Sequence, residues 1–225
     1  MLEQVIGILG LSAKYKVPFL QRRALSHLST GYPLTFDAWK RRGENATFLP
    51  VTDYSIPYAT VNIPKTLSVL QHLSRVGAFW LLPAVFYESC RYSIKDIIEN
   101  PAWRDPGLDE ALKSVIIAGQ MKHVEASYHI LRFLQKPSER ECRKPSICLN
   151  IRLLCTDQVS SWSKYNPLGI WDEGDWQLLD EMCVHCLKAA KTRHAMACEE
   201  LWQGLPELYE LPPWDVLLDM KQSSE

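Results

Sequence analysis

Four cysteines form two closely spaced pairs in this sequence, and they are its best candidates for a metal site. Cys142 and Cys148 are separated by five residues, and Cys183 and Cys186 by two. Thiolates are soft ligands, and Zn²⁺ binds four of them in a tetrahedral cage, with ligand pairs supplied by loops and by C-x2-C segments at helices. The pattern therefore predicts a structural zinc site with Cys142, Cys148, Cys183 and Cys186 as ligands.

Ordinary packing is the alternative explanation for the same cysteines. The first spacing exceeds the two to four residues that are usual between paired zinc ligands. The second pair falls on the apolar stripe of a predicted helix, where a cysteine is commonly a small core residue. That stripe contains Trp176, Leu179, Cys183, Cys186, Ala190, Ala197 and Leu201. Its steps of three, four or seven predict one helix over about residues 175–203. This placement disfavours a redox pair, because a redox C-x2-C belongs at a helix N-terminus in a βαβ context.

The histidines offer little support for a second site. His185 lies between the two cysteines of the C-x2-C pair, but helix geometry directs it away from their stripe and towards solvent. His123 and His129 are six residues apart, which places them on different faces of one helix. His194 lies near the inner stripe of its helix, so we expect a core or boundary histidine there and not a catalytic base.

Motifs of the common enzyme classes do not occur in the chain. It contains no H-E-x-x-H, G-x-x-x-x-G-K-[ST], G-x-G-x-x-G or G-x-S-x-G segment, so metalloprotease, nucleotide, dinucleotide and serine hydrolase interpretations lose their main support. Acidic pairs such as Glu199 and Glu200 are adjacent and splay around their helix, which suits a solvated surface. We therefore expect a non-enzymatic protein with no catalytic residues and no organic cofactor.

Composition and charge limit the partners and the compartment. The 225 residues include 25 basic and 26 acidic side chains, a net charge of −1 that does not favour nucleic acid or an anionic membrane. The longest apolar run, residues 76–87, is shorter than the roughly 20 residues that span a bilayer. Glu3 disfavours a signal peptide, and seven cysteines, an odd number, disfavour a disulfide framework. We expect an intracellular protein, in the cytoplasm or nucleus, that binds neither nucleic acid nor membrane.

Helical spacing of apolar residues accounts for most of the chain, and no strand alternation of useful length occurs. Residues 43–62 are the exception, since they contain Pro50 and Pro57 and have no helical period. The sequence therefore predicts an all-α, irregular helical bundle with one long irregular loop over about residues 43–62 and a long C-terminal helix.

Several segments resemble the C-terminal helical region of fungal BTB/POZ domain proteins. The segment LGLSAKYKVPFLQRRALSHLSTGYP resembles the helices that end a BTB domain, and VGAFWLLPAVFYESC resembles the buried helix that follows. The C-x5-C loop, the C-x2-C segment and LWQGLPELYELPPW resemble the terminal pattern of the group. The resemblance implies that residues 1–31 correspond to the last BTB helices and residues 32–225 to a helical post-BTB, BACK-like region, packed as one compact unit. It also implies that the BTB β-sheet would precede Met1.

The resemblance implies the function of an intracellular adaptor, since BTB proteins dimerise or contact cullin-type ubiquitin ligases. We accordingly expect a protein–protein interaction module with an unidentified partner, and the alternative is a small zinc-stabilised helical domain without an adaptor role. The apolar face of residues 3–15, which a preceding domain would cover in the family, predicts self-association.

Overall fold

The structure is a computed structural model that describes residues 2–45, 63–137 and 139–224. Within those ranges every regular element is a helix and there is no strand, so the all-α prediction is confirmed. The α-helices are α1 (Leu2–Lys14), α2 (Pro18–Gly31), α3 (Phe36–Asn45), α4 (Ile63–Val76), α5 (Leu82–Cys90), α6 (Ile94–Glu99), α7 (Glu110–Leu131), α8 (Pro145–Val159), α9 (Val184–Gln203), α10 (Leu205–Leu208) and α11 (Trp214–Gln222). No described helix combines the length and apolar content needed to cross a membrane.

The chain divides into two compact units, Met1–Gln120 with Gly204–Glu225, and Met121–Gln203. The predicted division after residue 31, which rests on the resemblance, stays a prediction. In the first unit, α1 packs against α2 and α4, and α4 packs against α5. Every residue of α5 is buried, as the absence of a polar face in LLPAVFYESC leads one to expect. Pro83 stands in the first turn of α5, where a missing backbone N–H costs nothing.

The second unit is built around an aromatic cluster of Phe133, Trp162, Trp171, Trp176 and His194. The ring of Phe133 lies 5.1 Å from that of Trp171 and 5.8 Å from that of His194. Helix α8 contacts two 3-10 turns, Arg132–Gln135 and Gly174–Leu179, and α9 contacts the first of them. Short turns and two longer helices thus enclose the aromatic cluster, and all four predicted zinc ligands belong to this unit.

The predicted helix over residues 175–203 is wrong in its first third. Residues 174–179 form a 3-10 turn, and α9 begins only at Val184. The Asp172 carboxylate accepts hydrogen bonds from the amides of Gly174 and Asp175, and the amide of Met182 donates to the carbonyl of Leu179 at 3.0 Å, which continues the tight i→i+3 pattern. The C-x2-C pair therefore lies at a helix N-terminus and not in a helix interior.

The predicted irregular loop over residues 43–62 begins too early, because α3 continues to Asn45. The rest of that prediction, residues 46–62, lies outside the described residues. The long C-terminal helix is α9, which has 20 residues and is followed by the short helices α10 and α11.

Candidate metal centre

The structure brings together the four cysteines that the sequence singled out. The sulfur atoms of Cys142, Cys148, Cys183 and Cys186 all lie within 4.8 Å of one another. The Sγ atoms of Cys142 and Cys183 are 3.6 Å apart. Cys148 and Cys186 are buried, whereas Cys142 and Cys183 are partly exposed. A cluster of this kind joins residues that are 41 positions apart in sequence, so it ties two distant segments of the second unit together.

Each pair of cysteines is positioned by the start of a helix. Cys142 ends a turn in which its amide donates to the carbonyl of Glu139 at 2.9 Å. Cys148 lies in the first turn of α8, where Pro145 opens the helix and the Cys148 amide donates to the carbonyl of Lys144. Cys183 immediately precedes α9, and its carbonyl accepts the first helical hydrogen bond, from the amide of Leu187. Two helix N-termini and one loop therefore converge on the four sulfurs.

Backbone amides donate hydrogen bonds to the cluster sulfurs. The amide of Cys183 lies 3.3 Å from the Sγ atom of Cys148. Hydrogen bonding from the Cys186 backbone lowers the pKa of the Cys183 thiol to about 6, with a further contribution from Arg143. Burial raises the pKa of Cys148 and raises that of Cys186 to about 12. The site thus stabilises one thiolate through helix N-terminal amides, while the buried thiols require a cation to lose their protons near neutral pH.

Two ion pairs join the loop around Cys142 to α9. Arg193 Nη2 pairs with Glu139 Oε1, and His185 Nδ1 lies 3.0 Å from Glu141 Oε2. The ion pair with Glu141 occupies one ring nitrogen of His185, which lies next to the cluster without joining it. The sequence does not predict these pairs. The alternating charges of the segment ERECRK indicate a solvated loop, but they do not reveal which residues of α9 pair with its side chains.

The geometry suits a tetrahedral metal ion with four sulfur ligands. A tetrahedron with Zn–S bonds of about 2.3 Å has S···S edges of about 3.8 Å. The 3.6 Å distance between Cys142 and Cys183 matches such an edge, and the other distances need to close by at most about 1 Å. Four protein ligands leave no open coordination position for water or substrate, which is the arrangement of structural and not catalytic zinc.

The remaining cysteines and histidines lie elsewhere. Cys90, Cys155 and Cys198 are buried and outside the cluster. His123 is buried and its Nδ1 lies 2.8 Å from the carbonyl oxygen of Tyr165, while His129 is exposed and pairs with Glu200, so the two histidines do face differently. In the parts of the chain that the structure describes, no second group of three or more metal-ligating side chains occurs.

His194 is a partly buried boundary residue, one of the two placements, core or boundary, that the sequence predicted. Its ring packs edge-on against Trp176 at 5.4 Å and against Phe133, and its Nε2 lies 3.6 Å from the Sγ atom of Cys198. Burial in this aromatic surrounding lowers the pKa of His194 to about 4. The side chain is therefore neutral near pH 7 and serves packing.

Comparisons with protein-family models, with curated proteins and with solved structures found no match to this chain.

Proposed function

We propose that residues 121–203 form a helical module held together by one structural zinc ion, and that the chain as a whole is a non-enzymatic protein–protein interaction module. The observation that supports the zinc proposal is the convergence of four cysteine sulfur atoms, all within 4.8 Å of one another. Zinc in a closed four-thiolate site contributes directly to folding free energy. The free thiols of all seven cysteines support an intracellular setting.

Metal analysis and thermal unfolding test the zinc proposal. We expect one zinc ion per chain in protein purified without added metal. Replacing Cys183 and Cys186 together by serine removes two ligands, and we expect zinc to be lost and the thermal midpoint of unfolding to fall sharply. The matched control is Cys155→Ser, which changes a buried cysteine of α8 that lies outside the cluster. Its zinc content should equal that of the wild type.

Metal-free protein that unfolds at the same temperature with and without added zinc would contradict the proposal. So would equal stability losses in the double variant and in Cys155→Ser, because buried-thiol packing alone would then explain both results.

The interaction role is the second candidate, and it is supported by an exposed apolar surface on α1 and α2. Val5 and Leu9 of the predicted face are buried in the first unit, whereas the neighbouring Leu11, Tyr15 and Phe19 are 58%, 66% and 63% exposed. Side chains of this size are seldom exposed together on a surface that has no partner. The resemblance to the post-BTB region supports an adaptor role for the same chain.

We take the occupant of this surface to be a second copy of the chain. Four basic residues of α1, α2 and their connection, Lys14, Lys16, Arg22 and Arg23, accompany the apolar side chains, against one acidic residue, Glu3. Since the whole chain has a net charge of −1, the rest of the sequence carries an excess of acidic residues. A basic apolar surface and a more acidic remainder are complementary in a head-to-tail contact between copies.

Sedimentation at several protein concentrations tests self-association. We expect association at low salt that weakens as salt is added, because screening acts on exposed charges. The variant Leu11→Ser with Phe19→Ser should be monomeric. Leu154→Ser is the control, because Leu154 is another exposed leucine, 72% accessible, on α8. A wild-type protein that stays monomeric at low salt, or association that both variants leave unchanged, would contradict this role for α1 and α2.

A further inference from the structure

The four cysteines of the cluster differ in their exposure to solvent. Cys148 and Cys186 are 0% and 3% exposed, whereas Cys142 and Cys183 are both partly exposed. The sulfur atoms of these two partly exposed cysteines are also in van der Waals contact, at 3.6 Å. A small oxidant from solvent therefore has access to two neighbouring cysteines, while Cys148 and Cys186 are shielded.

We propose that Cys142 and Cys183 form an oxidation site, at which a hydroperoxide converts the two thiols to a disulfide and so releases the bound metal. The release of metal rests on the proposed zinc function, whereas formation of the disulfide depends only on the positions of the two sulfurs.

The reaction balances with the peroxide as the sole oxidant. One sulfur attacks an oxygen of the hydroperoxide, so that an S–O bond forms, the O–O bond breaks and hydroxide or alkoxide leaves as its protonated form. The second sulfur then attacks the sulfenic sulfur, so that an S–S bond forms, the S–O bond breaks and the hydroxide leaves as water. Two electrons pass from the two sulfurs to the peroxide, and the protons come from the thiols or from solvent.

The geometry favours this pair over the other pairs in the cluster. A disulfide has an S–S bond of about 2.05 Å, so the sulfurs of Cys142 and Cys183 must approach by about 1.5 Å from their 3.6 Å separation. Cys142 lies in a loop turn and Cys183 directly precedes α9, so neither residue is held inside a helix. Cys148 and Cys186 are both helical and buried. After oxidation only these two thiolates are left, too few for a four-thiolate site.

Peptide mapping of the full-length protein tests the pairing. The protein is treated with one equivalent of hydrogen peroxide, its free thiols are alkylated under denaturing conditions, and trypsin is added. Cleavage separates Cys142, in residues 141–143, from Cys148, in residues 144–152, while Cys183 and Cys186 share residues 165–188. Fragmentation within the last peptide distinguishes its two cysteines. A chromogenic zinc indicator follows metal release in the same samples.

We expect the dominant cross-link to join residues 141–143 to Cys183, with Cys148 and Cys186 alkylated, and one zinc ion to be released for each cross-link. Dithiothreitol followed by added zinc should restore the metal-bound form. A dominant link between Cys183 and Cys186 or between Cys142 and Cys148 would overturn the proposal, as would release of zinc without any disulfide. Protein that contains no zinc from the start would contradict the proposed function, and the peptide map would still decide the oxidation site.

Two variants test the cross-link and the release of zinc independently. Cys155→Ser retains all four cluster thiols and should give the wild-type cross-link and release. Cys142→Ser should lose the cross-link to Cys183, and in samples that hold zinc the release by peroxide should be slowed. If Cys142→Ser does not retain metal, the peptide map of the wild-type protein decides whether Cys142 and Cys183 form the disulfide. Wild-type release in a zinc-loaded Cys142→Ser protein would contradict the proposal.

Discussion

His194 is a titratable residue whose ring serves packing and not acid–base chemistry. Its ring lies among Phe133 and Trp176, and burial lowers its pKa from 6.5 to about 4. A histidine with a depressed folded-state pKa binds fewer protons in the native state than in the unfolded state. Its contribution to stability is therefore complete above about pH 6.5 and is lost as the pH falls towards 4.

This difference predicts a specific pH dependence. Between pH 6.5 and about 4 the free energy of unfolding should fall by up to about 3 kcal/mol through His194 alone. His194→Gln removes this titration. The free energy of unfolding of the variant should therefore fall less between pH 6.5 and about 4 than that of the wild type, by up to about 3 kcal/mol. Denaturation by urea at a series of pH values measures both profiles. A His194→Gln protein with the same pH profile as the wild type would contradict this role of His194.

The ion pair between Glu139 and Arg193 predicts an effect on metal affinity. The Glu139 backbone also donates a hydrogen bond towards the Cys186 sulfur. The ion pair with Arg193 therefore helps to keep the Glu139 backbone within hydrogen-bonding distance of that sulfur. Glu139→Gln should weaken zinc binding by about tenfold, the lower end of the roughly 10- to 100-fold losses that changes beside metal ligands commonly cause. Competition with a chromogenic chelator measures this. Glu173→Gln, which removes the exposed ion pair between Glu173 and Lys191 of α9, is the control, and an equal loss there would contradict the role of Glu139.

At the scale of single residues, much of the candidate site could be predicted from the sequence. Cysteine type and spacing were sufficient to select all four clustered residues. The ion pairs of Glu139 and Glu141 with α9 could not be predicted. Contacts across more than 40 residues depend on how α8 and α9 pack, and apolar periodicity fixes the face of a helix without fixing its neighbour.

At the scale of elements, the helices were predicted better than their ends. Steps of three and four residues occur both in an α-helix and in 3-10 turns followed by an α-helix, so the stripe from Trp176 to Leu201 could not show the break before Val184. The turn depends on the Asp172 carboxylate and on burial of Trp176 in the aromatic cluster, and the second of these is a tertiary interaction. The break matters because it gives Cys183 the amides of a helix N-terminus.

Close packing of α7 against Tyr209 and Cys90 predicts a strong effect at one glycine. A methyl group on Gly119 of α7 would lie 2.9 Å from a ring carbon of buried Tyr209 and 3.0 Å from the sulfur of Cys90. Gly119→Ala should therefore destabilise the protein by about 1 to 2 kcal/mol, because overpacking exceeds the gain in helix propensity. Chemical denaturation measures the change.

Gly7→Ala on α1 is the matched control, because no atom lies within 4 Å of the added methyl group. That variant should be as stable as the wild type or more stable by up to about 1 kcal/mol. A Gly119→Ala protein with the stability of Gly7→Ala would contradict the packing described for α7.

At the scale of the whole molecule, the two units obtain their stability in different ways. The first unit has a large apolar core centred on α5, every residue of which is buried. The second unit has an aromatic cluster and also four thiols that would repel one another as thiolates without a cation. The all-α class follows from helical periodicity along the chain, whereas the division into units depends on long-range packing that periodicity does not report.

X-ray absorption at the zinc edge of the purified, full-length protein tests whether the four cysteines bind zinc. The four-thiolate site predicts one zinc ion per chain with four sulfur neighbours at about 2.3 Å and no nitrogen or oxygen neighbour. Protein without zinc, or zinc bound mainly by nitrogen and oxygen at about 2.0 to 2.1 Å, would contradict the assignment of Cys142, Cys148, Cys183 and Cys186 as its ligands.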